Sequence, residues 1–545
     1  MAGLPYYRPL VTVVYRALFT ILPFGATEIP HLFVLLVHVV NCLLVGQLAA
    51  YFWQRHSGHN ETEQPPVQLI ASLLFAIYPF GALPLVHFAA AFHPVVTLLT
   101  LAGSVCLLTY AHTNQQKYLA ATFILALLAP YAHESGVVAG GIMLFTLLLY
   151  DPAFLRQRYW LGLVVPLLSA LFLLSWMAVP KSQDPNGSLL VFERITISLA
   201  KLSFFGQAAW YPTMPLATWL TDQQGWWDLA AIWVVGGLTL LFLIRLLGLA
   251  GQWRIVALGF GWTAVAMLPS VVALPYDYIS ISPRLLYFAG PGAAVMWAAV
   301  LVIAAKQLKP VWIRPFLLYP LTIIIIAIPT AYIVRQAQLH TLALTPIQQL
   351  AQVATNYPDE QHLIINAPNW IAHQTRWYPI GNDGVAVLAP YMNTQHLIYI
   401  NSGVDLNAEI VTFPELRPNL SNYYLATANE APDQFWHPGL MSERVFDFDH
   451  IWFVHYTDEQ ANVAYVGYAQ PTTSAQPADY LGRFEDSVYL LTADFTTTDS
   501  HLTLTLDWIY TGIDPQATIF RNVLTCSGEV AGIGSGPALR GTLPF

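Results

Sequence analysis

A few side chains able to do acid, base or anion chemistry fall in the short polar stretches between long apolar segments: Arg8, His87, His93, His133, Glu134, Tyr276, Asp277, Arg284 and Tyr287. Glu134 opens an apolar stretch, where an ionisable side chain is costly and therefore a functional candidate. Its carboxylate could orient an acceptor hydroxyl or act in proton transfer, or serve only as an acidic first-turn residue favoured by the helix dipole. Arg284 is the sole cation of the short loops on its side, and a planar guanidinium matches phosphate oxygens bidentately; the alternative is an arginine snorkelling to headgroups. Arg8 offers a second anion contact or anchors a helix at the interface. His87 and His93, six apart, could bind a metal or a sugar hydroxyl, or be ordinary interface residues. Asp277, between Tyr276 and Tyr278, could approach a sugar or a cation or be a plain loop carboxylate.

The elements that must hold these residues are apolar segments at about 28–53, 67–82, 88–110, 119–131, 135–150, 160–180, 228–248, 254–273, 286–305 and 315–335. Most approach the roughly 20 residues that span a bilayer. Alternate loops carry Arg55, Lys117, Arg156, Arg158, Arg245, Arg254, Lys306, Lys309 and Arg314, which marks the cytoplasmic face. The chemistry-bearing residues lie in the opposite loops. A further stretch, 7–24, carries Arg8 and Arg16 and reads as a helix in the outer interface, with a spanning segment as the competing reading. The long outer loop from Lys181 to Trp227 reads as headgroup-level helices, either a lid over a cavity or a packed connection. His31 and His38, seven apart, share a helix face and are expected to pack between helices.

Composition agrees: 56% of the 545 residues are apolar and 10% charged, with a mean hydropathy of +0.51, whereas soluble domains carry about 25% charged residues. Residues 1–335 hold 16 Lys+Arg and 10 Asp+Glu; residues 336–545 hold 6 and 21. The acidic second part argues against nucleic acid as a partner, because phosphate neutralisation needs cations. Three cysteines, Cys42, Cys106 and Cys526, build neither a disulfide framework nor a zinc site.

Short apolar runs in the tail, 362–366 and 396–401, read as buried strands; 345–355 reads as helix and 445–455 as strand. From Tyr480 the pattern alternates, as in 502–508 and 517–520, with Gly-rich turns at 528–537, and reads as part of a β-sandwich. The expected architecture is a multi-pass α-helical membrane protein of about ten spans with a C-terminal extracytoplasmic α/β unit and a partial β-sandwich. Its domains are 1–335, 336–475 and 476–545.

Four elements occur in order: Tyr6-Tyr7-Arg8-Pro9-Leu10 followed by His31 and His38; Phe92-His93-Pro94; His133-Glu134-Ser135; and Ser282-Pro283-Arg284-Leu285-Leu286-Tyr287. Together they resemble the GT-C superfamily of polytopic glycosyltransferases, in the branch related to protein O-mannosyltransferases. The third element has His where that branch has Lys, and the fourth has Pro where it has Glu. The resemblance implies transfer of a sugar from a polyprenyl-phosphate-type donor to a glycan, lipid or protein acceptor at the outer face of a bacterial plasma membrane, usually with inversion. It implies Glu134 as the catalytic carboxylate and Arg284, Arg8, His93, Asp277 and Tyr287 as substrate-binding residues. No cofactor is demanded, although the chemistry admits a divalent metal. The family's acidic first loop lies before its Tyr-Arg-Pro element, and here only Met1–Pro5 precede it, so a fragment or divergent member is expected. The alternatives are a non-catalytic membrane scaffold presenting an extracytoplasmic binding domain, and a transporter or lipid flippase, which usually shows repeats around midplane charges.

Overall fold

Among the described residues, seven helices are long and apolar enough to cross a bilayer: Ile29–His56, Phe92–Thr113, Leu161–Ala178, Trp227–Leu246, Trp253–Ala273, Pro283–Ala305 and Tyr319–Asn356. They belong to a computed structural model that describes residues 8–21, 28–56, 67–86, 88–179, 198–220, 226–249, 253–280, 282–307, 314–367, 370–379, 384–386, 394–411, 420–426, 447–457, 460–467, 482–484, 488–497, 502–510, 518–524 and 530–537. The sequence pattern gave ten segments, and the difference lies where hydropathy continues but the backbone turns. Val67–Ala76 and Pro79–Val86 form a pair bent by 50°, an eighth crossing if taken as one span. Gln116–Ala132 has 17 residues, and the following apolar stretch is a 3-10 turn, Glu134–Val138, leading into the 12-residue helix Ala139–Tyr150.

The chain divides into two compact units, Met1–Ala337 with Arg376–Asp383, and Gln338–Thr375 with Gly384–Phe545. In the first, Pro283–Ala305 is the central helix, 94% of its apolar window being buried, against 22% for the peripheral Leu161–Ala178. It meets Trp253–Ala273 at two glycines. A Cβ on Gly292 would sit 2.7 Å from Trp262 Cβ and 2.9 Å from the Gly259 carbonyl oxygen, so only hydrogen fits. Such close approach replaces the hydrophobic drive that helices lack in lipid. Indole groups then tie backbone carbonyls: Trp262 Nε1 donates to Phe288 O at 3.0 Å and Trp297 Nε1 to Ala209 O at 2.9 Å. Thr97, Thr100, Ser104 and Thr146 satisfy their buried hydroxyls on carbonyls four residues back.

Of the two helices in the described part of the long 181–227 connection, Met214–Leu220 leaves Leu216, Trp219 and Leu220 exposed, whereas Leu199–Trp210 packs inward. Leu199–Trp210 is buried along most of its length, and Phe204, Phe205, Ala208 and Ala209 join the core. The physical reason is its apolar face, which packs inward as well as any spanning helix. Its 181–197 portion lies outside the described residues, as does His87.

The second unit has a four-stranded sheet in the order Ala408–Val411, His362–Ile365, His450–Tyr456, Ala461–Gly467. The first three strands are parallel and the last antiparallel. Leu363, Ile364 and Ile365 are fully buried, as expected for a run rich in Ile at the centre of a parallel sheet. Residues 396–401, expected as a strand, lie instead in the helix Thr394–Ser402. Ile398 is buried there, while Tyr399 and Ile400 are exposed; a short apolar run fits either period. Trp370–His373 pairs antiparallel with Val385–Ala386 and Tyr423–Ala426. Further on, Val488–Thr497 pairs antiparallel with Leu502–Tyr510 and Gly482–Phe484. The Gly-rich stretch expected to turn is largely a strand, Val530–Pro537, paired with Thr518–Leu524.

Candidate functional site

The site begins with two helix starts. Pro9 opens the helix Pro9–Ile21, a position where its missing N–H costs nothing, and the Arg8 carbonyl accepts from Thr12 N at 3.1 Å. The Arg8 side chain lies beside the second start. There His133 caps the Glu134–Val138 turn, its Nδ1 accepting from Ser135 N at 3.1 Å. Gly136 makes the turn possible: a Cβ there would lie 2.5 Å from the Ala129 carbonyl. Glycine thus lets the turn lie directly against the end of Gln116–Ala132.

Arg8 Nε donates to Glu134 Oε2 at 2.8 Å, the two side chains being 19% and 20% exposed. The Arg8 guanidinium also lies 4.0 Å from the centre of the Phe92 ring, a cation–π contact. Phe92 stacks on His133 with ring centres 4.9 Å apart and planes 9° from parallel. His93 follows at 4.7 Å from His133. Because Nδ1 of His133 is an acceptor, the neutral ring carries its proton on Nε2, 3.6 Å from Glu134 Oε2, beyond hydrogen-bond range. Two buried atoms of this cluster have no hydrogen-bond partner among the described residues, Glu134 Oε1 and His93 Nε2. Leaving such an atom unpaired costs about 1–3 kcal/mol.

Arg284 lies in the 3-10 turn Pro283–Ala289, which packs on the helix Phe92–Thr113. Its Nη2 donates to the Tyr278 hydroxyl at 2.9 Å, and its charge, like that of Arg8, acts on both His93 and His133. Tyr287, expected to bind substrate, has a different setting. Its ring is fully buried, and its hydroxyl bonds His38 Nδ1 at 2.7 Å and accepts from Asn41 Nδ2 at 3.3 Å. The phenol is committed to packing the turn that carries Arg284. His38 is buried against it, between helices. Asp277 falls in the helix Tyr276–Ser280, and its side chain lies outside the described residues.

The structure therefore brings Arg8, Glu134, His93 and His133 together, with Arg284 within electrostatic reach. Among the described residues, no group of three or more His, Cys, Asp or Glu side chains is arranged to hold a metal. Sequence reasoning passed over Lys201 and Arg376. Lys201 sits in the long connection that cation counting of short loops omits; Arg376 lies beyond the apolar region, yet pairs with Asp228 in the first unit. In the second unit, a separate cavity is lined by Gln361, Asn407, Ala408, Glu409, Asp447 and Phe448. It lies at the amino ends of the parallel strands, whereas ligands of open α/β sheets bind outside the carboxyl ends.

Comparison with family models, curated proteins and solved structures finds no match to this chain.

Proposed function

We propose that the chain is a glycosyltransferase that moves a sugar from a polyprenyl-phosphate-type donor to a glycan, lipid or protein acceptor. The observation that carries this reading is the state of Glu134: Arg8 holds Oε2, while Oε1 is buried and has no hydrogen-bond partner among the described residues. A carboxylate fixed on one oxygen and unsatisfied on the other is ready for a hydroxyl donor. An acceptor hydroxyl bonded to Oε1 is oriented by a group that cannot itself rotate away. Arg284 grips the donor phosphate, whose charge grows as the bond from the anomeric carbon to the phosphate oxygen breaks and its electron pair stays on phosphate. The acceptor oxygen attaches from the opposite face, with inversion, and its proton passes to Glu134 Oε1. His93 offers its unpartnered Nε2 to a sugar hydroxyl. In this reading the reaction lies at the non-cytoplasmic face of the plasma membrane, with the acidic second unit on that side.

The test uses the full chain in proteoliposomes with a synthetic polyprenyl-phosphate-linked radiolabelled sugar. Arg284→Ala is expected to abolish donor binding, and Glu134→Gln to leave binding intact while slowing transfer. Failure of the unmodified protein to bind the donor would sink the proposal, as would undiminished binding by Arg284→Ala.

A further inference from the structure

Asn41 lies in the interior of the helix Glu28–His56 and is fully buried. Its amide nitrogen donates to the Pro94 carbonyl at 2.9 Å and to the Tyr287 hydroxyl at 3.3 Å. A carbonyl can only accept, so the nitrogen, with its two hydrogens, must face Pro94. The Tyr287 hydroxyl, accepting from Asn41, has its own proton left for His38 Nδ1 at 2.7 Å. His38 thus carries its ring proton on Nε2, which faces Cys42 Sγ at 3.6 Å. His38, Asn41 and Cys42, three and four residues apart, share one face of the helix.

This one amide joins two elements that carry proposed substrate contacts. Pro94 follows His93 in the first turn of Phe92–Thr113, and Tyr287 lies in the 3-10 turn Pro283–Ala289, three residues after Arg284. The Arg284 charge acts on His93, so these two groups stand within electrostatic reach of each other. The Phe75 ring packs on both His38 and Tyr287, with ring centres 5.5 and 5.3 Å away. Asn41 Oδ1 is buried with no hydrogen-bond partner among the described residues. An unmet acceptor in the core costs stability, so what the amide contributes here is its two donated bonds.

We propose that Asn41 is a positioning residue that sets the spacing between His93 and Arg284, matched to a donor whose sugar meets the first and whose phosphate meets the second. The inference rests on the glycosyltransferase reading and adds to it a group that touches no substrate. A buried side chain bonded to two elements at once holds their separation, and a ligand gripping both elements gains affinity from a separation already fixed. A ligand gripping only one gains nothing from it. His38 supports the arrangement by orienting the Tyr287 hydroxyl. Sugar-linked and sugarless carriers therefore respond differently to the loss of Asn41.

The experiment measures binding of two radiolabelled ligands, a polyprenyl-phosphate-linked sugar and plain polyprenyl phosphate, to the full chain in detergent. Asn41→Leu is expected to weaken the sugar-linked ligand about fivefold to tenfold, the worth of one hydrogen bond to the sugar, and to leave plain polyprenyl phosphate within about twofold. Tyr287→Phe removes one oxygen and spares the bond to Pro94. It should weaken the sugar-linked ligand about two- to threefold and serves if Asn41→Leu fails to fold. In a His93→Ala background, where the sugar contact is already gone, Asn41→Leu should have no further effect, and a further loss there would overturn the inference. Equal weakening of both ligands would mean a general loosening of the fold, and weakening of neither would mean that the spacing is held elsewhere. Either result overturns the inference and leaves the glycosyltransferase reading standing. If the unmodified chain binds no sugar-linked donor, both fall.

Discussion

Arg376 donates from Nη2 to Asp228 Oδ2 at 3.1 Å, joining residues 148 positions apart. Asp228 is 3% exposed and lies in the first turn of Trp226–Leu249, where the helix dipole favours a carboxylate. The strap continues beyond the pair. Thr218 Oγ1 donates to the Trp377 carbonyl at 3.1 Å, and the fully buried Tyr378 ring meets Phe80 at 4.9 Å and Tyr332 at 5.0 Å. Because the carboxylate is buried and the guanidinium only partly so, Arg376→Ala is expected to destabilise the first unit by about 1.5–3 kcal/mol, the range of a charge-assisted hydrogen bond. Thermal unfolding in detergent checks this. Asp228→Arg combined with Arg376→Asp should recover part of the loss, and a double variant no better than the worse single one would show that the ion pair is not the source.

The Arg8–Glu134 pair gives a prediction with a characteristic sign. Arg8→Ala leaves a carboxylate in the protein without its guanidinium partner, whereas Arg8→Ala with Glu134→Gln leaves a neutral amide. The double variant is therefore expected to be more stable than Arg8→Ala alone, since an uncompensated charge is the larger penalty. A double-mutant cycle on thermal stability measures the coupling. Additive effects would mean that the two side chains do not interact in the folded protein.

Gly136→Ala tests the turn that carries Glu134. The new methyl carbon would meet the Ala129 backbone at 2.5 Å, and backbone cannot step aside as a side-chain tip can. A loss of about 1–3 kcal/mol follows from overpacking, accompanied, on the proposed glycosyltransferase reading, by slower transfer because Glu134 is displaced. Gly162→Ala is the control, since nothing lies within 4 Å of a Cβ there. Equal stability of the two variants would refute the packing argument.

In the second unit, His362 makes stability depend on pH. Its Nε2 donates to the Tyr357 carbonyl at 3.0 Å and its Nδ1 accepts from Trp452 Nε1 at 3.0 Å, a pattern that only the neutral ring satisfies. Burial holds its pKa below the ordinary value of 6.5, and the neighbouring His450 acts in the same direction. Above about pH 6.5 the ring is neutral whether folded or unfolded. Below that, the unfolded chain takes up a proton that the folded one resists, so stability falls with pH until the folded pKa is also passed. Melts of the full chain between pH 5 and 7.5 should show this slope, and His362→Gln should flatten it. A slope unchanged in that variant would assign it to another group.

The apolar segments were legible because a bilayer-length run of Leu, Val and Ala leaves few alternatives. Their breaks were less so: Pro79 and His133-Glu134-Ser135 interrupt helices without lowering hydropathy enough to register. In the site, Glu134 and Arg284 stood out as lone charges in short loops, and the structure adds what spacing cannot carry. The meeting of Arg8 with Glu134, 126 positions away, depends on the entry of one helix and the Gly136 turn of another. Tyr287 shows the converse: a residue selected for its motif has its hydroxyl engaged by His38 and Asn41 in the core. The helix at 394–402 was misread because a short apolar run such as 396–401 fits a helix as well as a strand.

The division of the chain has a consequence for how its halves can be inherited or exchanged. Residues 376–383 belong to the first unit although the second unit's sequence lies on both sides of them. A cut after Ala337 would take Arg376 from Asp228 and the Tyr378 ring from Phe80 and Tyr332. The helical half is therefore not a portable cassette. Any recombinant that joins this helical region to a foreign tail must graft the strap as well, much as a lock must travel with its key.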